Sequence, residues 1–417
     1  VRMKALKIGL AVLAGAALLL LASPAPEAFH SGGVAECGGC HSMHSPKPGG
    51  NYLLVGTDGA STCLSCHMHA GDTGPNGYHI ATAESDMPAG VPPLQRTPGG
   101  DFGWLKKTYT FTVRGTTTVE QGETHGHNIV AADTSFVADT VNTTAPGGTF
   151  PSSQLACTSC HDPHGRVRRT SSGTYTTGTT EPVSGSGSYG AIPAAGFTVG
   201  NYRLLRGLND SHVTGVTFTG VAIAVAPSTY NRTEASTQTR VAYGASSINT
   251  WGNWCASCHP GMHSSGNYVH PVDQSLGSNL ALVYNSYVKS GDLTGSSATA
   301  YTSLVPFAEN TGDIATLAAH AKIDNSQLGG PGASDKVMCL SCHRAHASGF
   351  EYALRWNMEG EFMIWNSLYP GTDTTPSVPQ FARGRLGAET QAAYYDRPVT
   401  AFAAYQRVLC NKCHAKD

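Results

Sequence analysis

Charge is scarce in this chain. Asp, Glu, Lys and Arg make up 13% of its 417 residues, and the formal net charge is −2. No basic block stands out, which argues against a nucleic-acid partner. Long apolar runs are also lacking, with one exception from Ile8 to Leu21. Arg2, Lys4 and Lys7 precede that run, and Ala22-Ser23-Pro24-Ala25-Pro26 follow it. A run this short spans a bilayer poorly. The pattern predicts a secretory signal over residues 1–28, removed before Phe29, with cleavage nearer Ala25 or a retained anchor as alternatives. The remaining chain is expected to carry no membrane span and a charge of −4, from 23 basic against 27 acidic residues. Among 49 glycines no phosphate-cradling loop or nucleophile elbow stands out. Nor is any cysteine left over, because all twelve stand in pairs three residues apart.

Each pair is followed at once by histidine: Cys37-Cys40-His41, Cys63-Cys66-His67, Cys157-Cys160-His161, Cys255-Cys258-His259, Cys339-Cys342-His343 and Cys410-Cys413-His414. CxxCH is the attachment signature of haem c. The thiols bond to the porphyrin vinyls, and the imidazole takes one axial position on iron. Zinc sites and disulfides are the rivals. Six intact copies behind a secretory signal favour six covalently attached haems.

With 49 Gly, 23 Pro and many Ser and Thr, the chain is expected to be mostly coil with few short helices and strands, wrapped around a continuous chain of six haems. The rings replace side chains as the core. Alternation predicts a strand over Lys107–Arg114 and a second over Thr217–Val225. Residues 165–200 read as a featureless surface excursion. Helical periodicity appears over Ser278–Ser290, Asp313–Ile323, Glu389–Tyr395 and Thr400–Ala415.

The other histidines reveal a repeat. Odd-numbered motifs carry a further histidine three residues on, at His44, His164 and His346, and a candidate upstream, at His30, His127 and His320. The chain thus reads as one domain, 29–417, of three di-haem modules at about 29–110, 111–300 and 301–417. Eighteen histidines less six in motifs leave twelve, and the repeat supplies the six that bis-histidyl ligation requires. His79 and His270 are substitutes, followed by His69 and His263. His125 and His212 read as solvated loop residues. Met43, Met68 and Met262 lie near motifs as alternative ligands.

Stretches such as 29–37 (FHSGGVAEC), 99–104 (GGDFGW), 226–234 (APSTYNRTE), 339–346 (CLSCHRAH) and 410–417 (CNKCHAKD) carry a family resemblance. The chain resembles the OmcS type of outer-membrane cytochrome, hexahaem proteins of metal-reducing bacteria that polymerise into extracellular conductive filaments. The resemblance implies haems in alternating parallel and T-shaped pairs, and subunits joined head to tail. It further implies that His44 ligates the fifth haem, at Cys339 and Cys342, of a neighbouring subunit. If each HxxH histidine serves the haem two places earlier, His164 serves the first, His346 serves the third, and His44 has no acceptor in its own chain.

The expected function is extracellular electron transfer by a head-to-tail homopolymer, carrying respiratory electrons to other multihaem cytochromes, ferric oxides or partner cells. A monomeric periplasmic shuttle is the alternative. A reductase of nitrogen or sulfur oxyanions is the third reading, opposed by the absence of any departure from CxxCH.

Overall fold

The computed structural model describes residues 37–48, 51–75, 77–227, 233–263 and 270–414. The signal segment and His30 lie outside the described residues. Regular structure is sparse and short, as the frequent Gly, Pro, Ser and Thr dictate. Among the described residues the longest helix is Gly277–Ser286, and no helix is long and apolar enough to cross a membrane.

Strand β1 (Tyr109–Val113) pairs antiparallel with β2 (Thr116–Glu120). Alternation buries Tyr109 and Phe111 while Thr110 and Thr112 face out. Arg114 and Gly115 both take positive φ between the strands, the conformation a two-residue hairpin turn requires. Residues 165–200 are not featureless. They hold β3 (Arg168–Thr170) between β4 (Tyr175–Thr176) and β5 (Thr198–Gly200). Strands of two or three residues are too short to leave a periodic signal. In the expected 217–225 strand only β6 (Ile223–Val225) pairs, antiparallel to β7 (Ala242–Gly244), which in turn pairs parallel to β8 (Ala308–Glu309).

Three predicted helices appear at Gly277–Ser286, Ile314–His320 and Gly387–Ala393. Asp313 caps the second by accepting the N–H groups of Ala315 and Thr316. The expected helix over 400–415 does not form. Its backbone instead pairs across the molecule, with Met363 N–H donating to Gln406 O at 2.8 Å. The Gln406 side chain accepts from Ser290 N at 3.1 Å and donates to Tyr287 Oη at 2.5 Å. A 3-10 turn at Val399–Ala401 overlaps its start, and only its end is α-helical, over Asn411–His414, where the last motif closes.

The apolar interior is divided into clusters, several of which reach motif cysteines. Trp104, Phe350, Trp356 and Tyr394 belong to one with Cys342, Cys410 and Cys413 packed against it. Tyr202, Trp251 and Leu340 belong to another, beside Cys160. Leu64, Phe102 and Phe136 form a third beside Cys157. Segments distant in sequence are tied together: His127 N–H donates to His346 O at 2.9 Å, and Arg96 bridges to Asp396 at 2.7 Å.

Candidate haem-binding line

Each CxxCH occupies a single helical turn. The histidine N–H donates to the carbonyl of the first cysteine at 2.8 Å in Cys37–His41, 2.9 Å in Cys157–His161, and 3.0 Å in Cys255–His259, Cys339–His343 and Cys410–His414. The second motif ends the longer helix Gly59–His67. Residues i, i+3 and i+4 share one face of such a turn. Two thiols and an imidazole are therefore presented together by local geometry alone. All twelve cysteines are free. Burial pushes the Cys160 and Cys342 thiols up to about 12. Left to themselves they are neutral thiols.

The imidazoles are oriented. Nδ1–H donates to a backbone carbonyl in five motifs: His41 to Tyr52 (2.8 Å), His67 to Tyr78 (2.9 Å), His161 to Arg203 (2.8 Å), His259 to Pro146 (2.9 Å) and His343 to Tyr352 (2.7 Å). This fixes the tautomer and leaves Nε2 as the donor to a metal.

In the odd motifs these carbonyls belong to a repeat that sequence reading missed. Tyr52-Leu53-Leu54-Val55, Arg203-Leu204-Leu205-Arg206 and Tyr352-Ala353-Leu354-Arg355 run against their motifs in one register. Leu54, Leu205 and Leu354 bridge to His41, His161 and His343. Val55, Arg206 and Arg355 donate backbone N–H groups to Cys40 O, Cys160 O and Cys342 O. The first two residues of each tetrapeptide are left-handed, with φ of 65° and 57°, 52° and 55°, and 60° and 54°. Such conformations cost non-glycine residues energy, and the recurrence marks them as built for aiming that carbonyl. The shared third-position leucine was the available signal. Its variable distance from the motif hid it.

Several histidines far apart in sequence face one another. Ring centroids of His41 and His164 lie 6.3 Å apart with planes 9° from parallel. Those of His127 and His259 lie 6.1 Å apart, and those of His270 and His414 lie 6.4 Å apart. Two imidazoles bound on opposite sides of one metal, each nitrogen ~2 Å from it, have centroids roughly 6 Å apart. His346 lies within electrostatic reach of His161, and burial pushes its pKa down to about 3. Burial likewise pushes His127 down to about 4. Both are therefore neutral, the form that ligates metals. Gly99 backs the His346 ring, where an added Cβ would lie 3.0 Å from Nδ1. Phe102 stacks on the same ring at 4.7 Å. The 99–104 stretch thus serves one imidazole.

The remaining histidines divide. His125 is fully buried, contrary to the solvated position expected. Its Nδ1 meets Trp104 O at 2.9 Å and its Nε2 meets Glu120 Oε1 at 2.7 Å, so neither nitrogen is available to iron. The loop composition around it gave no sign of the pocket that β2 closes. His212 is exposed, as expected, and pairs with Asp210 at 2.8 Å. His320 Nδ1 meets Glu309 Oε2 at 2.7 Å, and His263 Nε2 meets Asp273 Oδ2 at 3.1 Å. His44 is exposed, as are Met43 and Tyr52. Among the described residues no imidazole faces His44 or His343 as His164 faces His41.

The motifs follow one another in space as in sequence. The Cys40 thiol lies within electrostatic reach of Cys63 and Cys66, and the Cys63 thiol adjoins that of Cys157. Cys160 lies within electrostatic reach of Cys258, the Cys255 thiol adjoins that of Cys339, and Cys342 lies within electrostatic reach of Cys413. Beside the fifth motif, Arg355 Nη2 and Arg397 Nε are buried without hydrogen-bond partners. Carboxylates such as haem propionates suit them. The residues present fit haem.

No known family model matches the chain. It is 53% identical, over 99% of its length and all of the relative's, to C-type cytochrome OmcS of Geobacter sulfurreducens. The chain belongs to the OmcS family of c-type cytochromes. Two cryo-EM or filament structures of OmcS from Geobacter sulfurreducens superpose on it. The one described as OmcS nanowires gives a TM-score of 0.85 at 52% identity, covering 93% of this chain and all of that one. The one described as an outer membrane cytochrome S filament gives 0.84 at 51%, with the same coverage. The mostly coil architecture is that of the OmcS family, and haem c is its covalently held group.

Proposed function

We propose that the chain is an extracellular electron conduit that assembles head to tail into a filament. The observation that carries this reading is the unbroken succession of the six motifs, each within thiol contact or electrostatic reach of the next. A line without a gap is what hopping between centres requires. Haem c supplies the one-electron chemistry, and the protein fixes the rings and tunes them. The cysteines of the six motifs tether six haems. His41, His67, His161, His259, His343 and His414 are the proximal ligands.

For the distal positions, His164 serves the first haem, His346 the third and His127 the fourth. His270 serves the sixth in place of His320, because it is His270 whose ring faces His414. His30 remains the candidate for the second. His343 and His44 each lack a facing imidazole among the described residues, which supports His44 ligating the fifth haem of a neighbouring copy. The similar proteins whose structures are described as nanowires and a filament support the polymer. With every iron saturated the protein transfers electrons and is no enzyme in the strict sense. Reduction of ferric oxides proceeds by outer-sphere transfer, and partner cytochromes hand electrons in.

Secreted holoprotein tests this reading directly. Haem assay is expected to give six per chain and electron microscopy unbranched filaments. A monomer at high concentration, or fewer than six haems, would overturn it.

A further inference from the structure

Among the described residues one more pair of histidine rings has the same spacing as the three facing pairs above, and neither member belongs to a CxxCH motif. His69 and His79 have centroids 6.1 Å apart and planes 20° from parallel. The proposed haem scheme uses neither residue. His79 is held as metal-binding imidazoles are held. Its Nδ1 is hydrogen bonded to the Asp72 carboxylate. That carboxylate is in turn fixed by Gln95 Nε2 at 2.6 Å and by the Gly74 N–H at 2.9 Å. A carboxylate on Nδ1 orients the ring, raises its basicity and leaves Nε2 as the ligating atom. The His79 and Asp72 side chains are 13% and 12% exposed, whereas His69 is exposed, so the pair is anchored on one side and open to solvent on the other.

We infer that His69 and His79 form a second kind of metal site, one that takes a late first-row transition-metal ion, copper foremost, without a porphyrin. Imidazole donors suit copper, nickel and zinc, and among the divalent ions copper binds such donors most tightly. Hard ions such as calcium and magnesium, which prefer oxygen donors, are excluded by the two nitrogens. Among the described residues no group of three or more His, Cys, Asp or Glu is gathered around a metal position. Water or an external ligand therefore completes the coordination, and the ion exchanges with solution. The site lies next to the second CxxCH motif, with His69 two residues beyond His67 and Tyr78 linking the two regions. The Tyr78 ring centroid is 4.6 Å from that of His79, and the Tyr78 carbonyl accepts from His67 Nδ1. A bound ion would thus sit beside the second haem position and outside the line of motifs.

Untagged holoprotein with all haems oxidised, titrated with Cu²⁺ under equilibrium dialysis, tests the inference. Wild type is expected to retain one more equivalent than His69→Ala or His79→Ala, with nitrogen modulation from two imidazoles in pulsed electron paramagnetic resonance at the copper signal. Asp72→Asn keeps the shape of the support but not its charge. It is expected to weaken binding by at least about tenfold with the haem spectrum unchanged. Copper retention in both histidine variants equal to wild type would overturn the inference. A high-spin haem appearing in His79→Ala would also overturn it, because His79 would then be a haem ligand.

Discussion

Arg355 donates its Nε–H to the carbonyl of Leu340, 2.7 Å away, between the two cysteines of the fifth motif. Arg206 makes the same bond to Thr158 O in the third motif, at 2.8 Å, while the first motif has Val55 at that position of the repeat. The two arginines differ in what surrounds them. Arg206 is paired at 2.8 Å with the buried Asp210. Arg355 lies 3.9 Å from Glu234, which already pairs with Arg344 at 2.7 Å, and Arg397 is buried nearby. The fifth motif therefore faces a buried excess of positive charge.

A buried cation beside iron favours the reduced state, whose charge is lower by one. Arg355→Leu is expected to lower one of six midpoint potentials by about 60 mV or more, a tenfold change in a one-electron equilibrium. Arg355→Lys, which keeps the charge, should recover most of it. Spectroelectrochemical titration reads both. A drop of equal size in the two variants would assign the effect to packing.

His44→Ala is expected to leave monomers with one high-spin haem. Filaments of normal length by negative-stain microscopy, with all haems low-spin, would show that His44 bridges no subunits.

His270 and His320 make a paired test. His270→Ala should give one high-spin haem in six, visible as a ferric signal near g = 6, whereas His320→Ala should give none. The second substitution instead removes the imidazole that shares Glu309 with Arg240, at 2.7 Å and 2.9 Å respectively. It is expected to loosen β8 by about 1 kcal/mol. Reversal of the two outcomes would restore the upstream-histidine rule.

Acid sensitivity should centre on Glu120. Burial raises its pKa, but the Arg385 guanidinium and His125 outweigh that and hold it at about 2. Arg385, His125, Tyr109 and Glu351 are the titratable or charged groups that face it. Because the folded value lies below the unfolded one, the stabilisation is fully present above about pH 4.5 and lost as pH falls through 2. Glu120→Gln is expected to cost roughly 3 kcal/mol at neutral pH. The gap in melting temperature between wild type and variant should narrow as pH drops from 4.5 to 2. A gap independent of pH would mean that this carboxylate stays protonated in the fold.

Legibility in the sequence followed the range of the interaction. The strand at 109–113 and the helices near 280, 315 and 390 showed through because their patterns repeat within a few residues. The 400–415 helix failed because Gln406 and its neighbours pair with residues 362–363 and the 287–290 segment, contacts that outweigh helical periodicity. The carbonyls of Tyr52, Arg203 and Tyr352 went unread because their distance from the motifs varies.

The side-by-side placement of two cysteines and a histidine in each motif was determined by the sequence itself, since one helical turn suffices for it. Tertiary structure decided what stands opposite each imidazole. His270 rather than His320 faces His414, His125 is sealed against Glu120 and Arg385, and the His69 ring stacks opposite that of His79. Those pairings depend on where distant segments pack, and no fixed spacing along the chain records that.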